Sequence, residues 1–125
     1  MVKRRPIRCR LTTVQNAILA GKNVSVTESD MSYANIVRDY LPHATANFDA
    51  SNKAPYLSSA TPFGPNNCNF VGYDRAESIA AKGAYVRAPG LGGAIIWTIG
   101  MGHLANKPVG QRDPLMDAAK VAFLD

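Results

Sequence analysis

Apolar residues recur at helical spacing near both ends of this chain and gather into short runs in its middle, and the two rhythms predict different elements. Leu11, Val14, Ile18 and Leu19 predict a short helix over residues 11–20, ended by Gly21. The alternation Lys-Asn-Val-Ser-Val-Thr-Glu predicts a strand over 22–28. Tyr33, Ile36, Val37, Tyr40 and Leu41 share one face of a helix over 31–41, with Asn35, Arg38 and Asp39 opposite. Asp30 is placed to accept from the free N–H groups of its first turn, and Pro42 ends it. Two short strands follow near 44–49 and 54–58. Residues 59–69, rich in Ser, Thr, Pro, Gly and Asn, predict a loop.

The stretch 70–99 is the most structured by pattern. Residues 70–73 predict an apolar strand, and Asp74-Arg-Ala-Glu77 matches a capping box in which each end of the box satisfies the other's backbone N–H. The helix so opened runs to about Arg87, with Ile79, Ala80, Gly83 and Val86 inward, and stops at Pro89-Gly90. Gly92 and Gly93 then lead into Ala94–Ile99. That run does not alternate in polarity, which predicts a strand covered on both faces. Strand, helix and strand make one β-α-β unit, a building block of parallel sheets and barrels. Asp113-Pro114 starts a last helix with Leu115, Ala118, Ala119, Ala122 and Phe123 as its inner stripe.

Length narrows this picture. The chain has 125 residues, and a (β/α)₈ barrel typically takes about 250. Charge narrows it further. The formal net charge is +5, yet Lys3, Arg4, Arg5, Arg8 and Arg10 all fall in the first ten residues with no acid among them. The body is balanced and the basic character belongs to a tail, expected to be solvated and disordered. No aromatic residue interleaves with those cations to stack on bases, which argues against a nucleic-acid partner. Thr, Gln and Asn interrupt the segment after the tail, so it lacks the apolar core of a signal peptide, and no apolar run approaches the length of a membrane span. Localisation stays open. Cys9 and Cys68 stand in no metal-type spacing, and two unpaired thiols are expected over a disulfide.

Few residues carry candidate chemistry. Trp97 is the only Trp and lies near the C-terminal end of the predicted buried strand, where barrel active sites form. An indole face suits the apolar face of a sugar ring, but spacing alone favours a core Trp. Asp74 and Glu77 could pass for an acid/base couple, but helix-cap geometry accounts for them better. Glu28 and Asp30 read as helix-start residues in the same way. His43 and His103 have no ligand-spaced neighbour, so no metal site and no cofactor are expected. Gly90-Leu-Gly-Gly93 runs from helix into strand, the reverse of a phosphate loop, and reads as a tight turn.

In order and spacing, Phe70-Val-Gly-Tyr-Asp74, Ser78-Ile-Ala-Ala-Lys82 and Leu91-Gly-Gly-Ala-Ile-Ile-Trp97 resemble glycoside hydrolase family 18, the chitinase-type enzymes. The resemblance covers about residues 31–104. Tyr33–Leu41 resembles the helix of the small α+β insertion found in many of these enzymes, and Ala46–Tyr56 its hairpin, with Phe48-Asp49 where the family often has Trp-Asp. It implies an α/β fold: a partial (β/α)₈ TIM barrel, its last two β/α units, with a remnant of the small α+β insertion domain. The implied division is a basic tail at 1–10, a lead-in at 11–30, an insertion-like segment at 31–69 and a C-terminal β-α-β-α at 70–125. Phe70–Asp74 would be the seventh barrel strand and its exit, and Leu91–Trp97 the eighth strand.

The resemblance also implies a function. Trp97 would be the floor under the sugar, binding chitin or chitooligosaccharide. The family's Asp-x-x-Asp-x-Asp-x-Glu motif, whose Glu protonates the leaving group, occurs nowhere in these 125 residues, and neither does its Met-x-Tyr-Asp pattern. No catalytic residue is therefore assigned, and the expectation is a chitinase-like fragment inactive in isolation, or a non-catalytic carbohydrate- or partner-binding remnant that uses Trp97. Unpaired strand edges would favour self-association or a complementing polypeptide.

Overall fold

The computed structural model describes residues 7–8, 24–25 and 31–124. The helix expected over 11–20, the flanks of the strand expected over 22–28, and Glu28 and Asp30 lie outside the described residues. Strand β1 (Ile7–Arg8) pairs in parallel with β2 (Val24–Ser25), so part of the expected disordered tail is drawn into a backbone ladder.

The chain's central unit is an antiparallel sheet of β3 (Thr45–Asp49), β4 (Ala54–Phe63) and β5 (Cys68–Gly72), in the order β3-β4-β5. Asp49 closes the first hairpin. Its Oδ1 accepts from the Ser51 and Asn52 N–H groups at 2.9 and 3.1 Å, and its Oδ2 from the Asn52 side chain at 2.7 Å. These bonds, those of Asn52 foremost, hold the Asp49 carboxyl below its usual range.

Two expectations are corrected here. Residues 59–63 are strand, not loop, because Phe63 pairs with Cys68 across a turn in which Gly64 and Asn67 both take positive φ. Residues 70–73 are not a parallel barrel strand. Tyr56 pairs with Gly72, Leu57 with Val71 and Ser58 with Phe70, all antiparallel, because a short turn lets β5 fold straight back on β4.

One face of the sheet is covered by the segment expected as a single helix over 31–41. It forms α1 (Tyr33–Asn35), a π-helical turn (Ile36–Tyr40) and a 3₁₀ turn (Leu41–His43). Ser32 Oγ accepts from the Asn35 N–H at 3.2 Å and caps α1. The change of pitch turns Leu41 outward, whereas Ile36 and Tyr40 are buried against Leu57, Phe63, Cys68 and Val71. The Tyr40 and Phe63 rings meet edge to face at 6.1 Å. On the sheet, Tyr56 stacks on Phe70 with centroids 5.1 Å apart.

Cys68, fully buried in this core, is disulfide-bonded, so the expectation of two unpaired thiols is overturned. The chain's one other cysteine is Cys9, outside the described residues. Sequence separation hid the pairing. The fold brings β1, the strand just before Cys9, close to β5.

A second, smaller core joins α2 (Ala76–Arg87) to α3 (Pro114–Phe123). Ile79 meets Ala119 and Ala122, with Leu115, Ala118 and Phe123 packed around them, as the inner stripe of the last helix predicts. Gly83 allows the close approach: a Cβ there would lie 2.9 Å from that of Ala122 and would collide with the Ala122 carbonyl. Ala80, expected inward, is exposed, because the contact is made along the Ile79–Gly83 line alone.

The ends of α2 are set by local chemistry. The capping box forms one residue later than expected. Arg75 is the N-cap, and Ser78 Oγ accepts its N–H at 3.0 Å. At the other end the Leu91 N–H reaches the Val86 carbonyl and the Gly90 N–H the Arg87 carbonyl. With Gly90 at φ +70°, this is the Schellman pairing that stops a helix.

Ala94–Ile99 is the largest correction. It is not a strand and is not buried: it leads irregularly into a 3₁₀ turn (Ile99–Gly102), with Ile95 94% exposed. A strand needs a neighbour, and none of the strands among the described residues lies beside it. Residues 104–112 close a loop through the Leu104 N–H on the Arg112 carbonyl at 2.7 Å. His103 Nδ1 meets Asp113 Oδ1 at 2.8 Å, so Asp113 starts α3 without capping it by its side chain.

Candidate functional site

A cleft of about 560 Å³ opens where four elements converge. Tyr33 enters from α1, Tyr73 and Asp74 from the exit of β5, Lys82 from α2, and Trp97 from the 94–99 segment. Each placement has a local cause. The Ser32 cap starts the turn that carries Tyr33. The antiparallel pairing of β5 ends at Gly72, and the Tyr73 N–H still donates to the Pro55 carbonyl at 3.4 Å, which fixes the first residue beyond the strand. The Schellman turn releases the chain from α2, so that it returns along the cleft to Trp97. The Trp97–Thr98 peptide bond is cis.

Trp97, the residue singled out in the sequence, is 89% exposed and offers its ring to solvent within this cleft. A core Trp is thereby excluded. Asp74 reaches the same cleft, but its carboxylate is already engaged. Lys82 Nζ donates to its two oxygens at 2.8 and 2.7 Å, and Ser78 Oγ lies 2.7 Å from Oδ1. Glu77 turns away, pairing with Arg75 through a 3.0 Å hydrogen bond. The Arg75 guanidinium in turn sits 5.2 Å over the Phe48 ring and fastens the start of α2 to β3. The two acids thus serve separate ion pairs, and neither is poised as an acid/base couple with the other.

His43 and His103 do not line the cleft. His103 is held by Asp113. His43 borders a shallow groove with Arg38 and Asp39, whose mutual ion pair at 2.6 Å keeps the Asp39 carboxyl below its ordinary range. Among the described residues no three His, Cys, Asp or Glu side chains gather as metal ligands, and no helix is long and apolar enough to cross a membrane.

The sequence pattern assigned Tyr33 to a core face and Tyr73 to a strand, and so missed both as cleft residues. Both are half-buried. Burial, and secondarily the nearness of Tyr73, pushes the Tyr33 phenol above its usual ionisation range. The signal available in the sequence was aromatic content on either side of the predicted sheet. Chemically the cleft is an apolar floor with aromatic walls, able to stack against a flat apolar face and to hydrogen-bond at its edges.

Comparison with known proteins finds relatives of this chain. The chain is 45% identical over 47 residues to Chitinase A1 of Niallia circulans, a match covering 38% of this chain and 6% of that protein. It is 32% identical over 85 residues to a chitinase-like effector of Moniliophthora perniciosa, covering 64% of this chain and 18% of that one. The chain thus spans under a fifth of the length of these relatives. Among solved structures, the chitinase domain of the spore coat protein CotE from Clostridium difficile matches 87% of this chain and 32% of its own at 23% identity, with a TM-score of 0.47. The family profile described as glycosyl hydrolases family 18 matches residues 10–102, and the chain belongs to that family.

Proposed function

We propose that these residues form a chitin-directed portion of a chitinase-like glycosidase, with Trp97 as the platform for an N-acetylglucosamine ring. The observation that carries this reading is the position of Trp97, exposed in an aromatic cleft of a family 18 chain. The sugar's C–H face would stack on the indole, and a rigid ring buries that area with little loss of side-chain entropy. In this reading α2 and the 94–99 segment derive from the barrel of the complete enzyme, and the β3–β5 sheet with α1 from its small insertion.

The 125 residues bind without cleaving. They hold no Asp-x-x-Asp-x-Asp-x-Glu motif, and the one carboxylate lining the cleft among the described residues, Asp74, is committed to Lys82 and Ser78. A positioned proton donor is worth about 10²–10⁴-fold in rate. Calorimetric titration of the purified chain with chitotriose tests the reading, together with an assay for released product. Binding that weakens at least about tenfold in Trp97→Ala, with no product formed, is expected. Product release by the pure chain, or undiminished binding by Trp97→Ala, would sink it.

A second reading, docking of another polypeptide along 94–99, is favoured by the exposure of Ile95 and Ile99 beside Trp97. The two readings part on whether chitotriose competes with self-association.

A further inference from the structure

Strands β1 and β2 make a parallel ladder of two residues each. Such a ladder does not last in water by itself: isolated strand pairs are marginal, and parallel pairing is the weaker kind. Among the described residues no third strand extends it. Something else must hold this pair against the body of the fold. β1 lies close to β5, whose first residue is Cys68. Cys68 is fully buried among Ile36, Tyr40, Leu57, Phe63 and Val71, and it is disulfide-bonded. A second copy's thiol cannot reach a sulfur closed in that core. That leaves the chain's own Cys9, the residue after β1.

We propose that a Cys9–Cys68 disulfide is the latch that holds the N-terminal strand pair, and the cationic segment around Cys9, on the three-stranded sheet, so that the folded chain belongs to an oxidising compartment. Lys3, Arg4, Arg5, Arg8 and Arg10 surround Cys9 in sequence, with no acid among the first ten residues. Their mutual repulsion works against packing this segment down, and a covalent bond outlasts it. Joining positions 9 and 68 also closes a long loop, which removes much of the unfolded chain's freedom. The bond forms by exchange. The two thiols lose two hydrogens and two electrons to a small-molecule or protein disulfide, which leaves as two thiols. Arg8 and Arg10 on either side of Cys9 favour its thiolate, the attacking form. Cys68 reacts before the core closes over it, and afterwards burial shields it from a reducing thiol. Disulfides persist in secreted and periplasmic settings and are reduced in the cytosol. The latch does not depend on sugar binding at Trp97.

The test uses the 125-residue chain, oxidised and in dithiothreitol. An alkylating agent added to the denatured but unreduced chain should modify neither cysteine, and non-reducing electrophoresis should show a single-chain band. Thermal melting followed by circular dichroism should fall by about 10–20 °C on reduction. Cys9→Ser removes the bond and leaves the Cys68 side chain in the core. It should melt with the reduced chain and be unmoved by dithiothreitol. Outright unfolding of both is the same result at its limit. Brief trypsin treatment, well below the melting temperature, should cut after Arg8 and Arg10 faster in Cys9→Ser than in the oxidised unaltered chain. Two alkylated thiols, a disulfide-linked dimer, melting that is the same with and without the bond, or cleavage after Arg8 and Arg10 that the bond does not slow would each overturn the latch.

Discussion

Phe70-Val71 and Ile95-Ile96-Trp97 are nearly equal in apolar character and opposite in fate. The first pair is 8% and 3% exposed. In the second run Ile95 and Trp97 are 94% and 89% exposed. The difference is not hydrophobicity but access to a partner. β5 finds β4 through a short turn built on Gly64 and Asn67, and closing so short a loop costs little entropy. A parallel strand can only be paired through a long crossover, and none of the described strands lies beside 94–99. Sequence apolarity states what a segment would gain from burial. Topology states whether burial is available.

The strongest way to break this comparison is to damage its buried side. Leu57 is fully buried between Ile36, Val71 and Phe63. Leu57→Ala removes that contact and leaves a cavity. The expected loss is about 2–5 kcal/mol of stability in a urea melt, a large share of the total for a domain of this size. A loss near zero would mean that the sheet core is not what holds residues 31–74 together.

A middle-sized test asks whether the α2–α3 contact behaves like the buried side or the exposed one. Gly83→Leu would place a side chain onto Ala122, against which Gly83 already sits without room for a Cβ. Overpacking of that kind costs about 1–3 kcal/mol, only partly offset by up to about 1 kcal/mol of better helix propensity. The expected result is a lower melting temperature. An unchanged or raised one would show that the two helices separate freely in solution.

The same comparison explains what could be read from the sequence. The strands near 44–49 and 54–58, α2 and α3 were legible because their signals are local: alternation, a helix start near Asp74, a stop at Pro89-Gly90, and Asp113-Pro114. The extension of β4 to Phe63 was hidden by Ser, Thr and Pro residues that predict a loop, and pairing with Cys68 overrode that composition. The Ser78 cap was missed by one residue because Asp74 and Glu77 fit the same motif on paper. The Cys68 disulfide and the 94–99 segment were not legible, since both depend on what lies alongside them in space. At the cleft, Trp97 could be singled out by rarity and position. Tyr33 and Tyr73 could not, because a half-buried aromatic and a core aromatic give the same period in sequence.

The smallest expected effect on stability is the most direct probe of the exposed side. Ile95 makes up much of the apolar surface next to Trp97, and at its exposure it contributes almost nothing to the folded chain. Ile95→Ser should change unfolding free energy by no more than about 0.5 kcal/mol. Its effect belongs in association instead. An exposed run with high strand propensity and no charge offers unpaired backbone to another copy. Sedimentation velocity over a range of concentrations should therefore show Ile95→Ser remaining monomeric to higher concentration than the unaltered chain. If Ile95→Ser instead cost as much stability as Leu57→Ala, the segment would have to be buried within the folded monomer. The contrast between the two apolar runs would then collapse, along with the proposed role of Trp97 as an exposed platform.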